Sequence, residues 1–230
     1  MKILGLIKTT LLDYPGHVSA TVFLGGCNFL CPFCHNKSLV IPSEGEEVLH
    51  KEDVLDFLQK RVGILEGVCI TGGEPTLNNE LIDFIRTIKK MGYKIKLDTN
   101  GTNPQMINSL YQEDLLDYIA MDIKNSPTNY LKTVGLTHFN FDHICQSVAW
   151  LKNNYIPYEF RTTIVKELHT HDDIKEIGKW LDGCTNYYLQ NFKPSENQIV
   201  PGYSSHSKEI LEEFMKILKP FINNIKIRGL

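Results

Sequence analysis

The sequence predicts an α/β protein with a mainly parallel sheet, built as an incomplete (β/α)6-type TIM barrel. Three observations lead there. Short β-branched apolar runs alternate with amphipathic stretches along the whole chain, the pattern of repeated βα units. The runs end at glycine or polar residues, so chemically useful groups collect at the C-terminal ends of several strands. The length of 230 residues also falls short of the roughly 250 of a complete eight-unit barrel. An open doubly wound sheet is the main alternative. No repeat, low-complexity tract or linker divides the chain. One domain over 1–230 is therefore expected, with a core at about 18–192 and a C-terminal helix and strand within 207–228.

The elements follow in order. Residues 18–24 (VSATVFL) read as a buried strand stopped by Gly25 and Gly26, and 51–61 as a helix with Val54, Leu55 and Leu58 on one face. Residues 67–71 (GVCIT) are a strand halted by Gly72 and Gly73. Residues 79–91 repeat Leu81, Ile82, Phe84, Ile85 and Ile88 at helical spacing and stop at Gly92. A strand at 93–98 runs into Thr99-Asn100-Gly101. Pro104–Gln112 is helical, 118–123 a strand, and 141–153 a helix carrying Ile144, Val148 and Leu151. A strand at 158–165, a helix at 172–181, a strand at 187–192 and a helix at 207–218 come next. A last strand at 222–227 makes a terminal hairpin-like piece.

Lys and Arg number 24 against 27 Asp and Glu, a formal charge of −3, which argues against nucleic acid or an anionic membrane as the main partner. No window approaches the ~18 unbroken apolar residues of a membrane span. The apolar stretch 3–7 between Lys2 and Lys8 is too short for a signal peptide, so a cytoplasmic protein is expected.

Of six cysteines, Cys27, Cys31 and Cys34 crowd into one glycine-rich loop. Cys69, Cys145 and Cys184 are scattered and read as small core hydrophobes. Three readings of the crowded set compete. Structural zinc needs four ligands, with His35 or a distant group as the fourth, and no second CxxC or HxxxH is present. The CPFCH pentapeptide matches a haem-attachment pattern, but that chemistry accompanies export. An iron–sulfur cluster on three thiolates accounts best for the missing fourth ligand and leaves one iron open.

At this point the residues carry a resemblance. CxxxCxxC with an aromatic residue directly before its last cysteine, after an early strand, resembles the radical S-adenosylmethionine (radical SAM) superfamily. Gly72-Gly73-Glu74-Pro75 stands where that superfamily carries its GGE motif. Asp13-Tyr14-Pro15-Gly16, with the later DTNG and DIK segments, is similar to the glycyl-radical-enzyme activases, and among them to the activating proteins of anaerobic ribonucleoside-triphosphate reductase. The resemblance implies a [4Fe–4S] cluster on Cys27, Cys31 and Cys34, with the open iron chelating S-adenosylmethionine (SAM). No side chain takes a catalytic role beyond the cluster and SAM.

The resemblance further implies that Phe33 lies by the adenine, with backbone groups at His35 reading its edge; core packing is the commoner fate of a phenylalanine. Glu74 is a candidate acceptor for the methionine ammonium, as are backbone carbonyls of its loop. Gly72 and Gly73 are read as backbone passing against a ligand, with an ordinary strand-to-loop turn as the plainer reading. Asp98, Asn100, Asp122 and Lys124 match segments that contact SAM or a monovalent cation, although DTNG is equally a plain turn. Lys124 would neutralise the SAM carboxylate. The implied partners are a glycyl-radical enzyme, specifically anaerobic ribonucleotide reductase, and a one-electron donor such as flavodoxin or ferredoxin. A radical SAM enzyme for a small purine-like substrate and a zinc-stabilised binding module are the alternatives.

Three positions stand outside these roles. Arg161, inside an apolar strand, needs a partner, and a salt bridge ranks ahead of SAM. Gln190 is a weaker candidate for the same rim. His169 and His171 are expected in solvent at a helix start capped by Thr170 or Asp172.

Overall fold

Parallel strands need a crossover that carries the chain back along the sheet, and here helices supply it. The computed structural model describes residues 1–41, 45, 47–153 and 155–230. In chain order it contains β1 (Ile3–Thr10), β2 (Ser19–Leu24), α1 (Lys37–Val40), α2 (Lys51–Gln59), β3 (Gly67–Gly72), α3 (Leu81–Lys90), β4 (Lys94–Thr99) and α4 (Pro104–Gln112). Then come β5 (Tyr118–Asp122), α5 (Tyr130–Thr133), α6 (Phe141–Lys152), β6 (Tyr158–Ile164), α7 (His171–Trp180), β7 (Tyr187–Asn191), α8 (Lys208–Leu218) and β8 (Ile225–Arg228). The strands follow one another from β1 to β8 in an eight-stranded sheet whose ends are β1 and β8. The pairs β2–β3, β3–β4, β6–β7 and β7–β8 are parallel, so the mainly parallel α/β class holds. Among the described residues no helix is long and apolar enough to cross a membrane.

Two strands differ from the sequence expectation, and the short helices α1 and α5 have no counterpart in it. The stretch at 3–10 is a strand, β1, antiparallel to β2. Its outer residues are half-exposed or exposed, so the apolar alternation that would reveal a strand is diluted by Lys8, Thr9 and Thr10. The terminal piece is not a hairpin: β8 runs parallel to β7, with Leu189 opposite Ile227, because α8 takes up the return crossover.

The chain separates into two compact units, residues 1–28 with 38–120 and residues 29–37 with 121–230. In the first, α3 buries Leu81, Phe84, Ile85 and Ile88 along one stripe, each worth roughly 1.5–3 kcal/mol over exposure. In the second, α7 buries Ile174 and Ile177, and α8 buries Leu211, Phe214 and Leu218. The start of α7 is fixed by a capping box between Thr170 and Asp173.

Strand alternation in the second unit puts Glu159, Arg161 and Thr163 of β6 on the face opposite Phe160, Thr162 and Ile164. Glu159 is 1% exposed and receives both arms of the Arg228 guanidinium, at 2.7 and 2.9 Å. The same guanidinium lies 3.4 Å from the centroid of the Tyr188 ring, so β8 is held by a charge pair and a cation–π contact together. Replacing Arg228 by Met removes the bidentate guanidinium from a buried carboxylate and is expected to cost about 2–3 kcal/mol in urea unfolding. The Glu159→Gln/Arg228→Met double variant should recover part of that loss; a double variant weaker than Arg228→Met would contradict it.

Candidate functional site

In the first unit β2 and β3 run in parallel register from Ser19 opposite Gly67 to Leu24 opposite Gly72, so their C-terminal ends meet at one edge. The GGE turn after β3 is stitched to the start of the cysteine loop: Gly73 N–H donates to the Leu24 carbonyl at 2.9 Å and Glu74 N–H to the Gly26 carbonyl at 2.8 Å. Gly72 has φ of +128°, and a Cβ on it would overlap the Leu24 backbone. A Cβ on Gly73 would overlap the Gly26 carbonyl and approach Cys27 N within 3.2 Å. The space reserved by these glycines is therefore filled by the backbone that carries Cys27, a reason internal to the protein.

Glu74 is fully buried. Its Oε1 accepts from Thr76 N–H (3.0 Å), the Thr76 hydroxyl and the Thr99 hydroxyl (2.8 Å), and its Oε2 accepts from Asn100 N–H (2.6 Å). Burial raises its pKa against the opposing pull of these donors. The carboxylate thus ties the ends of β3 and β4 together. Asn100 in turn donates through Nδ2 to Asn28 Oδ1 at 2.9 Å, and Asn28 Nδ2 donates to the Thr102 hydroxyl at 2.9 Å. The residue after Cys27 is so pinned to the DTNG turn. Asp98 pairs with the ammonium of Lys96, two residues earlier on β4.

The second unit begins its share of the cysteine motif at Phe29. Cys31 is buried and Cys34 half-buried, with Cys34 N–H donating to the Cys31 carbonyl at 3.0 Å in a tight turn. Leu30 N–H donates to the Val134 carbonyl at 2.9 Å. The next residue, Gly135, has φ of +69°, and a Cβ there would overlap the Leu30 carbonyl. Phe33 is buried and meets Phe192 and Tyr203 edge-on at 6.3 and 6.4 Å. The His35 ring lies 4.9 Å from that of Phe192, and burial lowers its pKa. A cavity of about 370 Å³ opens here, walled by His35, Thr163, Gln190, Asn191, Lys193 and Arg228, with Gly229. Asn191 Oδ1 in this wall is buried and makes no protein hydrogen bond, an acceptor that an incoming N–H donor would satisfy.

At the end of β5, Asp122 accepts from Lys124 Nζ at 2.8 Å and from Arg161 Nε, so the salt bridge expected of Arg161 is present. Burial would raise the Asp122 carboxyl, but the two cations outweigh it and hold the carboxyl well below its usual range. Burial likewise disfavours the Lys124 ammonium, and the charges of Asp122 and Cys31 reverse that and raise its pKa. Lys124 is thus within electrostatic range of Cys31.

The expectation of a solvated His169 is overturned. It is 1% exposed: Val165 N–H donates to Nδ1 at 3.0 Å, which leaves the ring proton on Nε2 to donate to the Lys124 carbonyl at 2.9 Å. The imidazole holds the DIK segment from 45 residues away. His171 is exposed as expected. Asp173 adds a second anchor, accepting from the Ser126 hydroxyl and Asn129 Nδ2. His169, Gly135, Asn28 and Thr99 are supports that the sequence did not reveal, since each acts on a residue distant in the chain.

None of the six cysteines is in a disulfide. Among the described residues no three His, Cys, Asp or Glu side chains are arranged to hold a metal ion. The fit of a cluster therefore rests on the chemistry of the donors, three soft thiols spaced along one loop, with a lysine near one of them.

Two expectations follow. Gly73→Ala should lower the iron and sulfide retained after anaerobic reconstitution, because the methyl group displaces the backbone ahead of Cys27; full retention would show that the turn yields without disturbing the loop. The second concerns pH. His169 titrates near 6.5 when unfolded and lower when folded, burial being the main cause, so the unfolded chain takes up the proton first. Its contribution to stability is complete above about pH 6.5 and is lost as pH falls toward the lowered value. His35 and His206 shift in the same direction. Wild-type melting temperature should fall as the solution is acidified from neutrality, and His169→Gln should show the shallower fall; parallel curves would remove His169 from the account.

Comparison with known proteins places this geometry. The radical SAM superfamily model matches residues 21–181. A Methanocaldococcus jannaschii protein named as a glycyl-radical enzyme activating enzyme is 33% identical over 236 residues, covering 97% of this chain and 94% of that one. A crystal structure of a domain of pyruvate-formate lyase-activating enzyme from Bacteroides vulgatus is similar in fold, with a TM-score of 0.57 at 19% identity over 71% of this chain and 99% of that one. Streptococcus suis SuiB bound to S-adenosylmethionine gives a TM-score of 0.69 at 12% identity, over 91% of this chain and 52% of that one. At such identities the two structures speak for the fold alone.

Proposed function

We infer the activity of this chain from its membership: it belongs to the radical SAM superfamily and, within it, to the family of glycyl-radical-enzyme activating enzymes. It is an enzyme of the radical SAM oxidoreductase type. We propose that Cys27, Cys31 and Cys34 hold a [4Fe–4S] cluster, that SAM binds beside it, and that the product is a glycyl radical on a partner enzyme, anaerobic ribonucleoside-triphosphate reductase. The observation that carries this reading is the donor set of three thiols, one short of a closed site. When held by Cys27, Cys31 and Cys34, the cluster together with SAM would supply one-electron reductive cleavage of the sulfonium and, through it, the abstraction of a hydrogen atom from the partner's glycine Cα. The electron comes from a donor such as flavodoxin or ferredoxin.

The residues of the chain bind and orient. Lys124, oriented by Asp122 and by the His169 bond to its own carbonyl, offers an ammonium to the SAM carboxylate. The wall of His35, Gln190 and Asn191 suits an adenine, whose amino group would satisfy Asn191 Oδ1. With the Glu74 carboxylate committed to internal donors, the methionine ammonium is assigned to backbone carbonyls of the GGE loop. Glycine suits the target because a residue without a side chain permits the closest approach and the widest backbone angles.

A small purine-like substrate is the second reading, in which the cavity at His35 and Thr163 takes that substrate in place of the SAM adenine. The test is anaerobic incubation of the reconstituted, reduced protein with SAM and an anaerobic reductase. The expected result is a protein-bound glycyl radical in the electron paramagnetic resonance spectrum, lost in Cys27→Ala, Cys31→Ala and Cys34→Ala and kept in Cys145→Ala. SAM-dependent turnover of a nucleotide-like molecule, with no radical on any glycyl-radical enzyme, would decide for the second reading.

A further inference from the structure

Family resemblance leads one to expect a monovalent cation held by Asp98 and Asp122, but the residues in place do not fit one. A carboxylate draws a monovalent cation through its negative charge, and that attraction is weakened once another cation already compensates the charge. Asp98 already accepts from the ammonium of Lys96. Strand alternation explains why: Lys96 and Asp98 are two apart on β4 and point to the same face. The lysine side chain is 2% exposed and that of Asp98 12%, so water screens the pair weakly.

On the neighbouring strand the ammonium meets a sulfur. Register places Cys69 of β3 opposite Lys96, and the Cys69 sulfur lies 3.7 Å from Nζ. Thr21 of β2 stands opposite Cys69 and gives its hydroxyl to Asp13 at 2.6 Å. A cation added at Asp98 would thus face the ammonium at close range, and the carboxylate would have to share one charge between two cations. Within the second unit, Asp122 is met by two cations of its own, Arg161 and Lys124.

We propose that Lys96 is a built-in counter-ion that takes the place of a bound monovalent cation at Asp98, so that this chain is indifferent to sodium and potassium. The buried lysine is costly in β4 unless it meets a carboxylate, and the carboxylate is costly unless it meets a cation. A fixed ammonium supplies that charge at any salt composition. The inference concerns the charge on Asp98 and stands whether or not the partner proposed above is the right one.

The experiment compares the full-length wild type, Lys96→Met and Lys96→Arg in sodium, potassium and tetramethylammonium chloride at equal ionic strength, with thermal unfolding as the readout. The wild type and Lys96→Arg should melt within about 1 °C of themselves in all three salts, since screening alone does not distinguish them. Lys96→Met should melt roughly 5–10 °C lower in tetramethylammonium, as expected for a broken buried pair, and regain at least half of the difference as sodium or potassium is added. A saturable rise in the wild-type melting temperature with either ion would overturn the proposal, as would a Lys96→Met protein that folds but gains nothing from them. Should Lys96→Met fail to fold, sodium-23 relaxation titration of the wild type decides. No saturable binding is expected, and a saturable site at millimolar sodium would refute the counter-ion.

Discussion

A carboxylate sealed from water must be met by donors, and the first unit is organised around that demand at Glu74. Its two oxygens gather a backbone N–H and a hydroxyl of Thr76, the Thr99 hydroxyl and Asn100 N–H. Losing any one leaves part of a buried charge unsatisfied, which typically costs more than the bond itself contributes. Because the donors come from the turn after β3 and the end of β4, one side chain sets how these strand ends stand to each other. Through Asn100 and Asn28 the same constraint reaches the residue next to Cys27. The GGE turn then completes the seat, with glycines where backbone meets backbone. A motif that reads as ligand-binding is, in its packing, first a device for holding the cysteine loop.

The second unit solves a different problem, the placement of cations in a protein interior. Asp122 lies between Arg161 and Lys124, and burial makes each charge depend on the others. Position along the chain does not supply the order; the backbone of the DIK segment does, and it is fastened by His169 and by the Ser126–Asp173–Asn129 network. Arg228 repeats the arrangement on the last strand, between Glu159 and Tyr188. A charged lining of this kind keeps polar groups in fixed directions, which is what an anionic or zwitterionic ligand needs of its site.

How much was legible in advance depended on the range of the interaction. The helical stripe of Leu81, Phe84, Ile85 and Ile88 and the strand with its terminal glycines at 67–73 are local patterns, and they appear within a residue or two of their expected ends. The edge strand β1 was missed because one of its faces is wet and its sequence mixes lysine and threonine with isoleucine. The direction of β8 was misread because a short apolar run carries no mark of whether its partner is parallel.

By itself the sequence determined the α/β class, the spacing of three thiols on one loop, and the polar segments at the strand ends, because each is written in neighbouring residues. Tertiary structure alone decided what those segments are for. Only folding sets Glu74 against Thr99 and Asn100, His169 against a carbonyl 45 residues earlier, and Cys69 within reach of Lys96 across two strands. The physical reason is that burial gives a polar side chain its role. In solution these carboxylates, amines and imidazoles would all be satisfied by water; removed from it, each is defined by the particular group that takes the place of water.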